Sequence, residues 1–338
     1  MTRQTTLSIG VFVLFFLVCA PLIHAQPLSQ ETKTLSIVVT PQYYEPHTTV
    51  VVRAEGDDIT RSEIVWFANG ARLEETGRTA SITLGRLGTE TPLEVVRITP
   101  DGSETREGVI LRPTEVDILW AADSYTPPFF RGRPLPTPGT TLIVEALARF
   151  KRKDGTFIPK KDLVYTWRMG NTVFGNVSGR GNNIARIPSP LTLETSTLSV
   201  EVRSIDGAMG GRAATRVSSH TVTPVLYHDH PLFGVLRNAA IPESVVFSDT
   251  EATLAILPYY AKTRTAVSPD LEYSWSVNGD VLETGESNAN KIIVRTDGGS
   301  GLAHIELTLR NIASVMQDVR KAWKIFLETE PKNGFFDQ

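Results

Sequence analysis

Apolar and polar residues alternate with a period of two along much of this chain, and the alternation is clearest around tryptophan. In one stretch Leu271, Tyr273, Trp275 and Val277 take one face while Glu272, Ser274, Ser276 and Asn278 take the other, the pattern of a strand buried on one side. A second stretch sets Leu163, Tyr165, Trp167 and Met169 against Val164, Thr166 and Arg168, and a third carries Ile64, Trp66 and Ala68. Each run is followed by a pair that accepts positive φ: Asn69-Gly70, Gly170-Asn171 and Asn278-Gly279. Each strand is therefore expected to fold straight back in a tight hairpin. Two copies continue almost alike, as Leu73-Glu74-Glu75-Thr76-Gly77 and Leu282-Glu283-Thr284-Gly285.

The three tryptophans stand 101 and 108 residues apart, a period that matches one β-sandwich rather than one turn of a solenoid. Each is preceded by a β-rich run (Thr49 to Arg53, Thr141 to Ala146, Ala252 to Leu257). Each is followed by an alternating run that ends in arginine (Leu93 to Arg97, Leu198 to Arg203, Ile305 to Arg310). Asp101-Gly102 and Asp206-Gly207 then predict hairpins into a last strand. In the third copy Val315 to Leu327 fits both a helical and a two-residue period, and the need for a closing strand assigns Val319 to Glu328 as β. The pattern predicts an all-β chain of three tandem antiparallel sandwiches over 33–114, 115–222 and 223–330, with a polar tail over 331–338. Trp66, Trp167, Trp275, Tyr165 and Tyr273 are the expected core rings.

A tryptophan in the third strand, with an alternating strand near the end of each copy, resembles the immunoglobulin-like superfamily. The Tyr-x-Trp form of two copies resembles bacterial Ig-like or PKD-type surface modules. The cysteines that flank this tryptophan in antibody domains are absent, and Ala68-Asn69-Gly70 or Val277-Asn278-Gly279 replaces the Asp-rich turn of PKD modules. The resemblance implies spacers, adhesins or assembly parts rather than enzymes.

The first 25 residues change the address. Arg3, the nearly continuous apolar run Ile9 to Ile23, and Ala25 read as an export signal cut after Ala25. An apolar run of about 15 residues falls short of the roughly 20 that a span requires. Ile23 nonetheless stands where a small residue is usual, so retention as an N-terminal membrane anchor is the alternative. Either way the chain is expected to be secreted, periplasmic or on the bacterial cell surface. The single cysteine, Cys19, lies inside this segment, so neither disulfides nor thiolate metal sites are expected in the mature chain. With 34 Lys and Arg against 37 Asp and Glu, a net charge of −3, nucleic acid is not an expected partner. A macromolecular partner at the envelope is expected instead, protein before glycan.

Candidate chemistry is sparse. His228-Asp229-His230 would place two imidazoles on one side of a strand, but a metal site needs three or four ligands and no third is identifiable. No HExxH, Gly-x-Ser-x-Gly or phosphate-loop motif occurs in the sequence. No enzymatic activity, cofactor or metal is therefore expected. Between the first two tryptophan repeats runs Val116 to Pro138, with a counterpart from Val225 to Pro242, and both are expected to make stiff proline-rich junctions. Within the first, Trp120, Tyr125, Phe129 and Phe130 either wedge between sandwiches one and two or form a platform there that stacks on sugar rings or on a partner strand. The basic hairpin Lys151-Arg152-Lys153-Asp154-Gly155 reads as a solvated tip, with an acidic glycan or headgroup as its alternative contact.

Overall fold

The computed structural model describes residues 34–191, 194–247, 251–283, 288–295, 300–314 and 316–327. The leader over 1–25, Thr284-Gly285, Val315, Glu328 and the tail over 331–338 lie outside the described residues.

The alternating runs are strands, and they assemble into six sheets that pair as three sandwiches. In the first, β1 (Leu35–Thr40), β2 (Thr49–Gly56) and β5 (Thr79–Thr83) form one layer in the order β1-β2-β5. The facing layer, β4-β3-β6-β7, comprises β3 (Glu63–Ala68), β4 (Ala71–Thr76), β6 (Thr91–Ile98) and β7 (Glu104–Leu111). The second sandwich repeats this plan with β8 (Glu115–Ala122), β9 (Thr141–Arg149) and β13 (Ile184–Pro188) against β10 (Leu163–Met169), β11 (Thr172–Val173), β14 (Thr195–Ser204) and β15 (Gly210–Ser218). There a two-residue strand, β12 (Gly179–Arg180), also pairs β10. The third sets β16 (Thr223–His230), β17 (Gly234–Val235), β19 (Glu251–Tyr259) and β22 (Lys291–Arg295) against a second layer. That layer holds β18 (Ser244–Phe247), β20 (Leu271–Val277), β21 (Asp280–Leu282), β23 (Gly301–Asn311) and β24 (Asp318–Leu327).

Each sandwich has its own apolar interior, built from the inward residues of both layers. Trp66 and Trp167 are fully buried and Trp275 is 1% exposed, with Tyr165 and Tyr273 beside the latter two. An indole burying about 200 Å² contributes about 5 kcal/mol at about 25 cal/mol per Å², an upper figure against a compact unfolded chain. The hairpins after the tryptophans follow their residue types. Asn69 and Gly70 take φ of 52° and 79°, Asn278 and Gly279 take 53° and 95°, and Gly170 takes 55°, the left-handed region that two-residue hairpins need.

A hydrogen-bond motif recurs in all three sandwiches. The indole Nε1–H of Trp66 donates to the Gly77 carbonyl at 2.9 Å, that of Trp167 to Asn182 at 3.0 Å and that of Trp275 to Ala289 at 2.9 Å. Each acceptor stands two residues before a strand of the opposite layer, β5, β13 or β22. The next carbonyl along, from Arg78, Asn183 or Asn290, accepts the amide of Ala54, Ala146 or Ile256 at 2.8 Å. The buried ring thus finds its polar partner in the segment that enters the facing sheet, and the same segment is pinned to the neighbouring strand.

Two features depart from the sequence pattern and a third resolves an ambiguity in it. Val116 to Trp120 and Val225 to His230, inside the expected spans 115–222 and 223–330, belong to the sandwiches and not to the proline-rich junctions that follow them. They lie in β8 and β16, the first strands of their sandwiches, paired along their lengths with β9 and β19. Val116, Ile118 and Trp120 alternate inward, so that pairing outweighs the proline-rich composition that follows. One pair is parallel: β18 lies beside β24, because the segment from Pro231 to Pro242 carries the chain from one layer to the other. The closing strand expected from Val319 is present as β24, with Trp323 and Ile325 both inward, 1% and 0% exposed. Trp323 is therefore a second core indole of the third sandwich, which the sequence pattern left ambiguous.

Two outcomes follow from these cores. Trp167→Phe keeps an aromatic ring but leaves the Asn182 carbonyl without its donor, and is expected to cost about 1–3 kcal/mol. Trp167→Ala also opens a cavity and is expected to cost about 3–5 kcal/mol; urea unfolding measures both, and a Trp167→Phe variant as stable as wild type would contradict the role of the N–H. Burial pushes the Tyr165 phenol up to about 12 and also raises Tyr259 and Tyr273 above the ordinary 10.0. A raised phenol contributes stability that is complete below its unfolded value and is lost as pH rises through the folded one. Unfolding is therefore expected between about pH 10 and 12, with circular dichroism and phenolate absorbance changing together. Phenolates that titrate near 10 while the fold stays intact would contradict it.

Candidate functional site

The polar side chains that the cores do not use gather where one sandwich meets the next. At the first junction the loop after β1 brings Tyr43 against the β14–β15 hairpin. Arg203 donates to the Tyr43 hydroxyl at 3.1 Å and to Glu201 at 2.6 Å. Thr114 donates its hydroxyl to the Gly210 carbonyl at 2.7 Å and its amide to the Tyr44 carbonyl at 3.1 Å. Gly210 and Gly211 permit this approach. A Cβ on Gly210 would stand 2.9 Å from the Tyr43 ring, and one on Gly211 2.6 Å from Val116. Burial alone would raise the Glu201 carboxyl, but hydrogen bonds with Tyr43 and Arg203 outweigh it and hold the group below its ordinary value. The basic hairpin sits here too, with Lys151 against Gly88 and Lys153 3.8 Å from Glu90. Part of the hairpin is thus spent on the neighbouring sandwich.

The second junction is more deeply interlocked. The loop between β8 and β9, residues 123–140, reaches onto the third sandwich. The Tyr125 amide donates to Ala261 at 2.8 Å and its carbonyl accepts from Tyr260 at 2.7 Å. Gln317, 3% exposed, fills all four of its side-chain positions: Oε1 accepts from the Lys262 amide and Asn311 Nδ2, both at 2.9 Å. Its Nε2 donates to the Thr137 hydroxyl at 2.8 Å and to the Pro138 carbonyl at 3.0 Å. Thr137, fully buried, passes its own proton to the Tyr260 carbonyl at 2.7 Å. Beside this network Tyr125, Tyr227 and Leu257 form a small apolar cluster of their own, and the Tyr227 and Tyr259 hydroxyls bond at 2.8 Å.

The aromatic set expected to wedge between sandwiches one and two, or to form a platform there, is not gathered at that junction. Trp120 points into the second sandwich and packs on its core, with the Arg133 guanidinium 4.2 Å above its ring. Tyr125 is buried against the third sandwich. Phe130 meets Tyr259 edge-on at 5.6 Å and Tyr260 at 6.3 Å. Phe129 stands 97% exposed at φ 66°. The four rings take four environments. Tyr125 and Phe130 belong to the second junction because the loop that carries them leaves the far end of β8. Beside them an open groove of about 500 Å³ lies between Pro127–Arg131 and Val235–Asn238.

His228 and His230 lie on one face of β16, as the alternation implied, but each ring meets an aromatic neighbour. His228 lies 5.0 Å from Phe247 and His230 4.7 Å from Phe233, and the His230 Nδ1 accepts the Leu232 amide. Among the described residues no three His, Cys, Asp or Glu side chains are grouped to hold a metal ion. Sequence reading missed Tyr43, Thr137, Asn311 and Gln317, since single polar residues in loops carry no periodic signal.

No family model matches the chain, and no curated protein matches it in sequence. Among solved structures it is similar to the three N-terminal domains of the Highly Immunogenic Outer Capsid protein of bacteriophage RB49. That match has 13% identity over 88% of this chain and 100% of that one, with a TM-score of 0.26. It is also similar to the central fibronectin-III array of RIM-binding protein, at 10% identity, 87% and 96% coverage and a TM-score of 0.28. A third similar structure is that of Sidekick-1 immunoglobulin domains 1–4, at 12% identity, 88% and 75% coverage and a TM-score of 0.19.

Gln317→Ala removes four hydrogen bonds at the second junction and leaves Thr137 and Asn311 short of partners. The variant is expected to lose about 1–3 kcal/mol and to exchange the Tyr125 and Tyr260 amides faster than wild type. Amides of β2 and β6 should keep their protection. Hydrogen exchange read by mass spectrometry or NMR checks this, and unchanged protection at Tyr125 and Tyr260 would contradict the role given to Gln317.

Proposed function

We propose that this protein is a non-enzymatic structural or interaction protein of the cell envelope or exterior, in which three immunoglobulin-like sandwiches form a fixed frame that presents loops and sheet faces to a macromolecular partner. The observation that carries the reading is the satisfied network around Gln317. Buried amides with every position bonded specify one arrangement of the groups they join. A chain that invests such groups in the contacts between sandwiches, rather than in a cleft, is built to hold orientation. The export signal read in the leader supplies the address, and the near-balanced surface charge favours a protein partner over nucleic acid.

The test combines partner capture with release of the frame. Crosslinking in native envelopes is expected to yield a discrete product with the wild-type chain and a much weaker one with the Gln317→Ala, Thr137→Val double variant. N-terminal sequencing of the same material reports whether the leader is removed. A hydrolytic or redox activity that disappears on substituting a defined polar cluster would overturn the reading. So would a crosslinked product indifferent to the junction variant.

A further inference from the structure

The outer face of the second sandwich's four-stranded layer carries an unbalanced set of arginines. Strand register places Arg168 beside Ser199, Glu201 beside Arg212, and Thr197 beside Arg216 across β10, β14 and β15, so these side chains share one face. Glu201 lies among them, but its carboxylate is engaged by Arg203 at 2.6 Å and by Tyr43. Among the described residues the guanidinium groups of Arg168, Arg212 and Arg216 form no salt bridge and no hydrogen bond, although the charge of Arg168 helps to hold the Glu201 carboxyl below its ordinary value. The equivalent face of the first sandwich is different: Arg106 there is held between Glu94 at 3.1 Å and Glu104 at 3.2 Å. Three guanidinium groups thus share this face with a single carboxylate, that of Glu201, which is already engaged by Arg203 and Tyr43.

Part of this set lines a recess. Arg168, Gly170, Asn171, Ser199, Glu201 and Arg212 line a pocket of about 310 Å³. Ser199 at its floor is 3% exposed. Guanidinium groups bind carboxylates through paired hydrogen bonds. The Asn171 amide, the Ser199 hydroxyl and the Glu201 carboxylate add neutral and acceptor positions suited to hydroxyl groups. The pocket's floor is the face of paired strands and not a sheet edge, so a peptide cannot bind there by extending the sheet. Ligand contacts would then come chiefly from side chains, with the Gly170 backbone at one end of the pocket.

We propose that this pocket binds a uronate unit of an acidic polysaccharide, with Arg168 and Arg212 on the sugar carboxylate and Ser199 and Asn171 on its hydroxyls. The site goes beyond the frame reading and does not depend on which partner the frame holds: Glu201 is shared with the first junction, but Arg168, Asn171, Ser199 and Arg212 belong to the second sandwich and the pocket lies away from Gln317.

The test is calorimetry on the chain with its leader removed, using trigalacturonate, neutral galactotriose and a triglutamate peptide as probes. Trigalacturonate is expected to bind, with affinity falling as salt rises, and Arg168→Gln or Arg212→Gln to weaken it roughly tenfold. Arg320→Gln, on the third sandwich, is expected to leave binding unchanged, and circular dichroism should show all three variants folded. Three results would overturn the proposal: no heat with trigalacturonate, equal affinity for triglutamate, or binding indifferent to both pocket substitutions. None of these touches the junction crosslinks, so failure here and failure of the frame reading are separable.

Discussion

A tryptophan at the centre of a β-sandwich brings a large apolar ring and one polar N–H into the same interior, and the N–H must find an acceptor there. In this chain it finds a backbone carbonyl two residues ahead of the strand that enters the facing layer, three times over. The bond therefore ties the two layers together through the residue that also fills the space between them. Without disulfides, burial and this bond locate the facing strand relative to the ring. Register follows, because a strand that slipped by one residue would turn its apolar set outward.

The same economy governs the contacts between sandwiches. Polar groups removed from water cost free energy unless bonded, so a buried glutamine is tolerable only where every position is used. Gln317 meets that condition through partners on the third sandwich, Lys262 and Asn311, and on the second, Thr137 and Pro138. The first junction relies more on glycine and charge. Gly210 and Gly211 let Tyr43, Thr114 and Val116 approach the hairpin closely, and the Arg203, Glu201 and Tyr43 group closes it. Its carboxylate, held below the ordinary 4.5, contributes stability that is present above that value and is lost as pH falls through the depressed one. The two junctions thus differ in how far they respond to acid.

Strands with one buried face were legible because burial imposes a period. The runs around Trp66, Trp167 and Trp275, and the positive-φ hairpins behind them, follow from residue type alone. The closing strand of the third sandwich was harder, since Trp323, Ile325 and Leu327 satisfy two periods at once and only pairing with β23 decides between them. The aromatic loop after β8 was misplaced because sequence neighbours need not share a surface. Trp120 faces inward on a strand, while the loop beyond it crosses to the next sandwich. Gln317 and the arginines around Ser199 left no trace in the pattern, for their meaning lies in what the register and the loops set beside them.

Hydrogen exchange of the indole Nε1–H groups in the intact chain, followed by NMR, tests the central claim most directly. The account predicts that the resonances of Trp66, Trp167 and Trp275 persist long after that of Trp120, which is only partly buried and lies under Arg133. If any of the three exchanged as fast as Trp120, its ring would not be bonded across its own core, and the three-core architecture would be contradicted.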